Sequence, residues 1–150
     1  MWDRYCFLLA LLACPCASGE DWPQFGGPGG KGISPEKGIP VSWSGKKNVA
    51  WRFRLPGTGW SSPVVVDGKV YLSAAVVGAK SSKDNPSLVA LSVDGKSGKL
   101  LWQTELFTKA RSSRRHQKNS HASPTPLGDD GRLSVHLGTN GPACLDLAGK

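Results

Sequence analysis

A chain of 150 residues with 19 glycines, 11 prolines and a formal charge of +8 has room for one modest domain. Its charged fraction of 20% is ordinary, which excludes a disordered or coiled-coil chain and leaves a loop-rich β protein. The charge by itself selects no partner, since an exported protein meets many anionic polymers.

The first nineteen residues differ in kind from the rest. Met1 to Arg4 is a short polar start, and Tyr5 to Ala13 is almost wholly apolar. Ala17-Ser18-Gly19 then offers small residues before a cut at Glu20. Residues 1–19 read as a secretory signal peptide, too short to span a bilayer, which sends the protein to the periplasm or outside the cell. Leu11-Leu12-Ala13-Cys14 offers a second cut, because it resembles a bacterial lipobox. There Cys14 would carry lipid and hold the protein on the outer membrane, whereas the plain cut frees it. Either way Cys6 is lost, and after the plain cut only Cys144 remains, so an internal disulfide framework is excluded. Cys144 falls on a strand read as buried, where a thiol is inert.

Residues 20–47 form a Gly/Pro-rich N-terminal arm. Its run Phe25-Gly26-Gly27-Pro28-Gly29-Gly30-Lys31-Gly32 fails as a phosphate loop, lacking both the first glycine and a Ser or Thr after the lysine. Trp22, Phe25 and Trp43 are expected to pack the arm onto the outside of the first sheets. Asn48 to Leu55 reads as a strand shaped like the one around Trp102. No three strands precede it, so in a closed ring it would complete the last sheet.

Val64 to Val66 and Lys69 to Ser73 are two strands joined by Asp67-Gly68, a dipeptide suited to the positive φ angles of a two-residue hairpin. Leu88 to Val93 and Leu100 to Glu105 are two more, split by Asp94 to Lys99. The pattern then returns. Ala122-Ser123-Pro124 answers Ser61-Ser62-Pro63, Asp130-Gly131 answers Asp67-Gly68, Arg132 to Leu137 answers the second strand, and Ala143 to Leu147 answers the third. The step is 51 between Trp51 and Trp102, 52 between Asp94 and Asp146, and 61 between Pro63 and Pro124. The surplus marks an insertion at 107–121. Several strands per unit at such a period predict an all-β fold, a β-propeller of four-stranded antiparallel blades. About two incomplete blades fall within 48–150: a first unit at 51–105 and the start of another at 120–150. The sequence stops where the fourth strand of the second unit would begin. It therefore reads as the N-terminal part of a longer propeller or as a truncated reading frame, marginal by itself and exposing a raw sheet edge.

The insertion holds Lys109, Arg111, Arg114, Arg115 and Lys118 with no acid to balance them, the pattern of a solvated loop or of one that binds nucleic acid, a phosphorylated or acidic sugar, or an anionic surface. No aromatic residue lies between the charges to stack a base, and the leader takes the chain out of the cell, so nucleic acid is not the expected partner. A membrane enters only through lipid on Cys14. His116, His121 and His136 lack the spacing and carboxylate companions of a zinc site, and no metal site is expected. Ser120, His121 and Ser123 are sequence neighbours only, and no Gly-x-Ser-x-Gly elbow occurs. Catalytic residues are not expected in these 150.

Ser92-Val93-Asp94-Gly95-Lys96-Ser97-Gly98-Lys99-Leu100-Leu101-Trp102 resembles the tryptophan-docking repeat of quinoprotein (PQQ-like) β-propellers, Ala-x-Asp-x-x-Thr-Gly-x-x-x-Trp. Ser92 replaces the Ala and Ser97 the Thr, while Asp94, Gly98 and Trp102 match; Trp51 and Asp146 are the counterparts in the neighbouring units. Asp21-Trp22-Pro23-Gln24-Phe25, Gly59-Trp60-Ser61-Ser62-Pro63 and Asn119-Ser120-His121-Ala122-Ser123-Pro124 are similar to segments of exported bacterial proteins carrying this repeat, although Gly26 stands where that group commonly has Arg. The resemblance spans about residues 20–150. It implies the propeller, but its functions range from quinone-dependent alcohol and sugar dehydrogenases to the BamB-type outer-membrane assembly scaffold. The leading expectation is a non-catalytic exported propeller that binds a protein, peptide or polysaccharide at the channel mouth. Trp60, Lys118, Asn119 and His121 flank the starts of the innermost strands and are its candidate ligand contacts. The alternative is a quinone-dependent dehydrogenase with PQQ over a calcium ion on the ring axis.

Overall fold

The computed structural model describes residues 19–78, 81–108, 116 and 118–150. The leader up to residue 18, Cys14 with it, and Lys109, Arg111, Arg114 and Arg115 of the basic insertion lie outside the described residues. Among those described, no helix is long and apolar enough to cross a membrane.

The fold is all-β, with seven antiparallel strands in two sheets among the described residues. The first sheet has the order β1 (Val64–Val66), β2 (Lys69–Val76), β3 (Ser87–Asp94), β4 (Leu100–Phe107), and the second β5 (Leu127–Asp129), β6 (Arg132–His136), β7 (Pro142–Asp146). Both are meanders, and both begin with the turn read from the sequence. Asp67 and Gly68 have φ of 51° and 68°, Asp130 and Gly131 of 44° and 72°, as the two central positions of a type I′ hairpin require. Val64 pairs with Tyr71 across the first turn, and Leu127 with Ser134 across the second. Among the described residues the two sheets do not close into a ring.

The sheets stack through their apolar faces. Val64, Tyr71, Ala75, Leu88 and Ala90 of the first sheet meet Leu133, Val135 and Leu137 of the second unit, with Trp102 and Leu106 from β4 at the margin. Full burial of Tyr71, Leu88 and Leu133 contributes about 1.5–3 kcal/mol for each side chain. The Tyr71 ring lies 5.9 Å from that of Trp102, and burial pushes its hydroxyl above the ordinary phenol range. Ser92 opposes that shift through its hydroxyl dipole without reaching hydrogen-bond geometry, and its buried Oγ has no hydrogen-bond partner. The opposite face of the first sheet is covered by Trp51, Phe53 and Leu55, which pack on Ala74, Val89, Leu91 and Val93. With a layer on each side, β3 is buried from Ser87 to Val93.

The segment 48–55 departs from the expected strand. From Trp51 to Leu55 it alternates half-buried and exposed residues as a strand does, yet it carries no strand pairing. The alternation records the sheet face it lies on; a strand also needs a neighbour in the hydrogen-bonding direction. The arm departs further. Phe25 is 74% and Trp43 71% exposed, so neither packs on a sheet. Trp22 is the arm residue that docks, and it docks on strand edges. Its N–H and C=O pair with Val65, while Pro23 O accepts from Gly128 N at 2.8 Å and Asp21 Oδ1 from Asp67 N at 3.0 Å. The stretch 21–23 thus joins β1 to β5.

Cys144 is exposed rather than buried. It occupies the repeat position of Ser92, which is wholly buried, but the second sheet has only one face covered among the described residues. On β6 and β7 the residues alternate accordingly, with Arg132, Ser134, His136, Pro142, Cys144 and Asp146 outward.

Candidate functional site

Two tryptophans lock the layers together by the same contact. Trp51 donates from Nε1 to Gly95 O at 2.8 Å, and Trp102 from Nε1 to Leu147 O at 3.1 Å. Gly95 and Leu147 each follow the aspartate of their turn, Asp94 and Asp146. Asp94 Oδ1 accepts from the Ser97 N–H at 2.7 Å and hydroxyl at 2.6 Å. These two bonds, the hydroxyl foremost, hold the Asp94 carboxyl below the usual carboxylate range. Asp146 Oδ1 likewise accepts from the N–H groups of Ala148 and Lys150. Each indole then lies flat on a left-handed glycine. A Cβ on Gly98 would come within 2.6 Å of the Trp51 ring, and one on Gly149 within 2.6 Å of the Trp102 ring. The aspartate leads the glycine by four residues in the first turn and by three in the second. That one-residue difference reconciles the steps of 51 and 52. A bulge helps to aim Trp102: Ser92 pairs with Trp102 and Val93 with Leu100, leaving Leu101 as the extra residue.

The segments that lead into β1 and β5 are bonded to the first sheet and to each other directly. Trp60 N donates to Ala122 O at 3.1 Å, Ser62 N to Thr125 Oγ1 at 3.1 Å, and Ser73 Oγ to Pro124 O at 3.3 Å. The prolines of both Ser-Pro steps can spare their N–H because side chains and flanking amides make these bonds. Just ahead of them, Thr58 forms an antiparallel bridge with Ala75 at the end of β2. Gly57 and Gly59 permit that approach, since a Cβ on either would collide with the carbonyl of Ala75 or Ser73. On the opposite side, residues 120–123 are wound into a turn by Ser120 and Ser123, whose hydroxyls bond neighbouring backbone groups.

Between these two stretches opens a cleft of about 480 Å³, lined by Thr58, Trp60, Lys83, Asn119, Ser120 and His121 with Pro56, Gly57, Ala75, Val77 and Pro86 beneath. Trp60 is 64% exposed. Among the described lining residues no carboxylate occurs, and Lys83 supplies the positive charge. The fold brings three of the four sequence candidates together here: Trp60, Asn119 and His121. Lys118 is not among the lining residues; its N–H bonds His116 Nδ1 at 3.2 Å.

No family model and no curated protein matches the chain.

Thr58, Ser120 and Lys83 are the polar and charged lining residues that sequence reasoning missed. The offset of 61 between Pro63 and Pro124 maps Thr58 onto Asn119 and Trp60 onto His121, so the first was within reach of the repeat. Lys83 belongs to no recurring pattern. Chemically the cleft offers a flat apolar ring, neutral hydroxyl and amide groups, and positive charge. Among the described residues no group of three His, Cys, Asp or Glu side chains is placed to hold a metal ion.

Proposed function

We propose that the protein is a non-catalytic, exported repeat module of the PQQ-like β-propeller type, which binds a protein, peptide or polysaccharide at the cleft beside Trp60. The carrying observation is the convergence of Thr58 and Trp60 with their repeat counterparts Asn119 and His121 on one 480 Å³ cleft. A cleft with a few convergent polar groups around an aromatic wall is suited to ligand recognition. The propeller part of the reading draws on the twin indole contacts, in which each layer leans on the next through the same tryptophan, glycine and carbonyl.

The quinone-dependent dehydrogenase fits these residues poorly. A calcium ion under the quinone wants several oxygen ligands, carboxylates among them. The cleft supplies hydroxyls and an amide but no carboxylate among its described lining, and so no step is assigned to that group. Glycan and peptide arrays probed with the wild-type chain and with Trp60→Ala test the binding reading. A set of ligands held by the wild type and lost in the variant is expected; arrays in which the two proteins give the same pattern would refute it. Titration with PQQ and calcium should leave the quinone spectrum unchanged.

A further inference from the structure

Thr58-Gly59-Trp60 and Asn119-Ser120-His121 occupy the same place in two successive units, yet each copy contributes different chemistry to the shared cleft. The first copy supplies a broad apolar plate, because Trp60 leaves 64% of its surface open while its backbone N–H is tied to Ala122 O. Its position is therefore set without burying the ring. The second copy supplies an amide, a hydroxyl and an imidazole along the facing wall. Lys83 adds an ammonium group, and no described lining residue opposes it.

One class of ligand uses all of these at once. A pyranose ring has an apolar C–H face to lie on an indole and equatorial hydroxyls to exchange bonds with amide and hydroxyl side chains. A carboxylate on that ring completes the match by pairing with the ammonium group in a charge-assisted bond. We propose that the cleft binds an acidic saccharide, a chain containing uronic acid units, with Trp60 as the stacking plate and Lys83 as the carboxylate partner. The proposal rests on the reading of this cleft as a ligand site and adds the ligand's class. A neutral sugar leaves Lys83 unused, and a cationic one is repelled. An acidic peptide satisfies Lys83 but brings no ring face to Trp60. The net charge of +8 adds a long-range pull on a polyanion that is independent of the cleft, so the test must separate the two.

Calorimetric titration of the full chain with trigalacturonate, its methyl ester and triglutamate makes that separation. Trigalacturonate is expected to bind, and the uncharged methyl ester to bind about tenfold more weakly, the equivalent of one charge-assisted bond. Trp60→Ala should weaken trigalacturonate by about tenfold or more. Lys83→Gln should weaken trigalacturonate to the level of the ester and leave the ester unaffected. Both side chains are exposed, so unchanged circular dichroism and melting are expected in the variants. Triglutamate binding as tightly as trigalacturonate and indifferent to Trp60→Ala would reduce the effect to bulk charge and overturn the proposal. Equal binding of acid and ester, both lost in Trp60→Ala, would overturn the acidic class while keeping the cleft as a ligand site. Trigalacturonate binding that neither substitution alters would overturn both.

Discussion

The glycine under each indole gives the sharpest test of how the layers are joined. Gly98→Ala carries two separable costs. The first is the left-handed backbone, φ 69°, worth about 1 kcal/mol for a residue with a Cβ. The second is the collision with the Trp51 ring at 2.6 Å, an overpacking that costs about 1–3 kcal/mol as the ring shifts. Gly131→Ala isolates the first cost, because its φ is 72° and nothing lies within 4 Å of the position a Cβ would take. In urea unfolding followed by tryptophan emission, Gly131→Ala should lose about 1 kcal/mol and Gly98→Ala about 2–4 kcal/mol. At a typical slope of about 1–3 kcal/mol per M the two midpoints are readily resolved. Gly149→Ala, under Trp102, should behave as Gly98→Ala does. Equal losses at 98 and 131 would mean that the indole carries none of the joint, and the account of the layers given above would be wrong.

Three further outcomes are expected. Ser92→Ala removes a buried hydroxyl that has no hydrogen-bond partner and should raise stability by about 1 kcal/mol in the same assay; a loss of similar size would mean that the hydroxyl is bonded after all. The Asp94 carboxyl, held low by Ser97, contributes stability that is complete above the ordinary carboxylate range and is lost as pH falls through its depressed folded value. The midpoint difference between wild type and Asp94→Asn should therefore shrink on acidification, and a difference constant down to strong acid would contradict the assignment. Intact mass of the protein recovered from an exporting host should place the new N-terminus at Glu20, or at a lipid-bearing Cys14; retention of Met1 to Gly19 would remove the export reading.

Much of the fold was legible because local chemistry dictated it. Asp-Gly between two short strands has few conformations to choose from, and both hairpins follow. The indole contacts were legible as a spacing, since a large ring needs a glycine opposite it in every unit. What failed were judgements about surroundings. Trp51, Phe53 and Leu55 announce a face that must be covered, but their pattern does not say whether a strand pairs alongside. Phe25 and Trp43 are as apolar as Trp22, and only Trp22 has free strand edges beside it. Ser92 and Cys144 stand at one repeat position, one sealed and the other open, because coverage of a sheet depends on its neighbour rather than on its own sequence. In the cleft, Trp60 and His121 were legible through the repeated Pro step, whereas Lys83 enters from a connection with no counterpart.

The short stitch of Asp21, Trp22 and Pro23 ties the order of synthesis to the order of assembly. These residues leave the ribosome well before one of their partners, Gly128. Until then the stitch can hold only Val65 and Asp67, and closing so long a loop is slow. The first hairpin can form early, but the stitch reaches β5 only once Gly128 has been made.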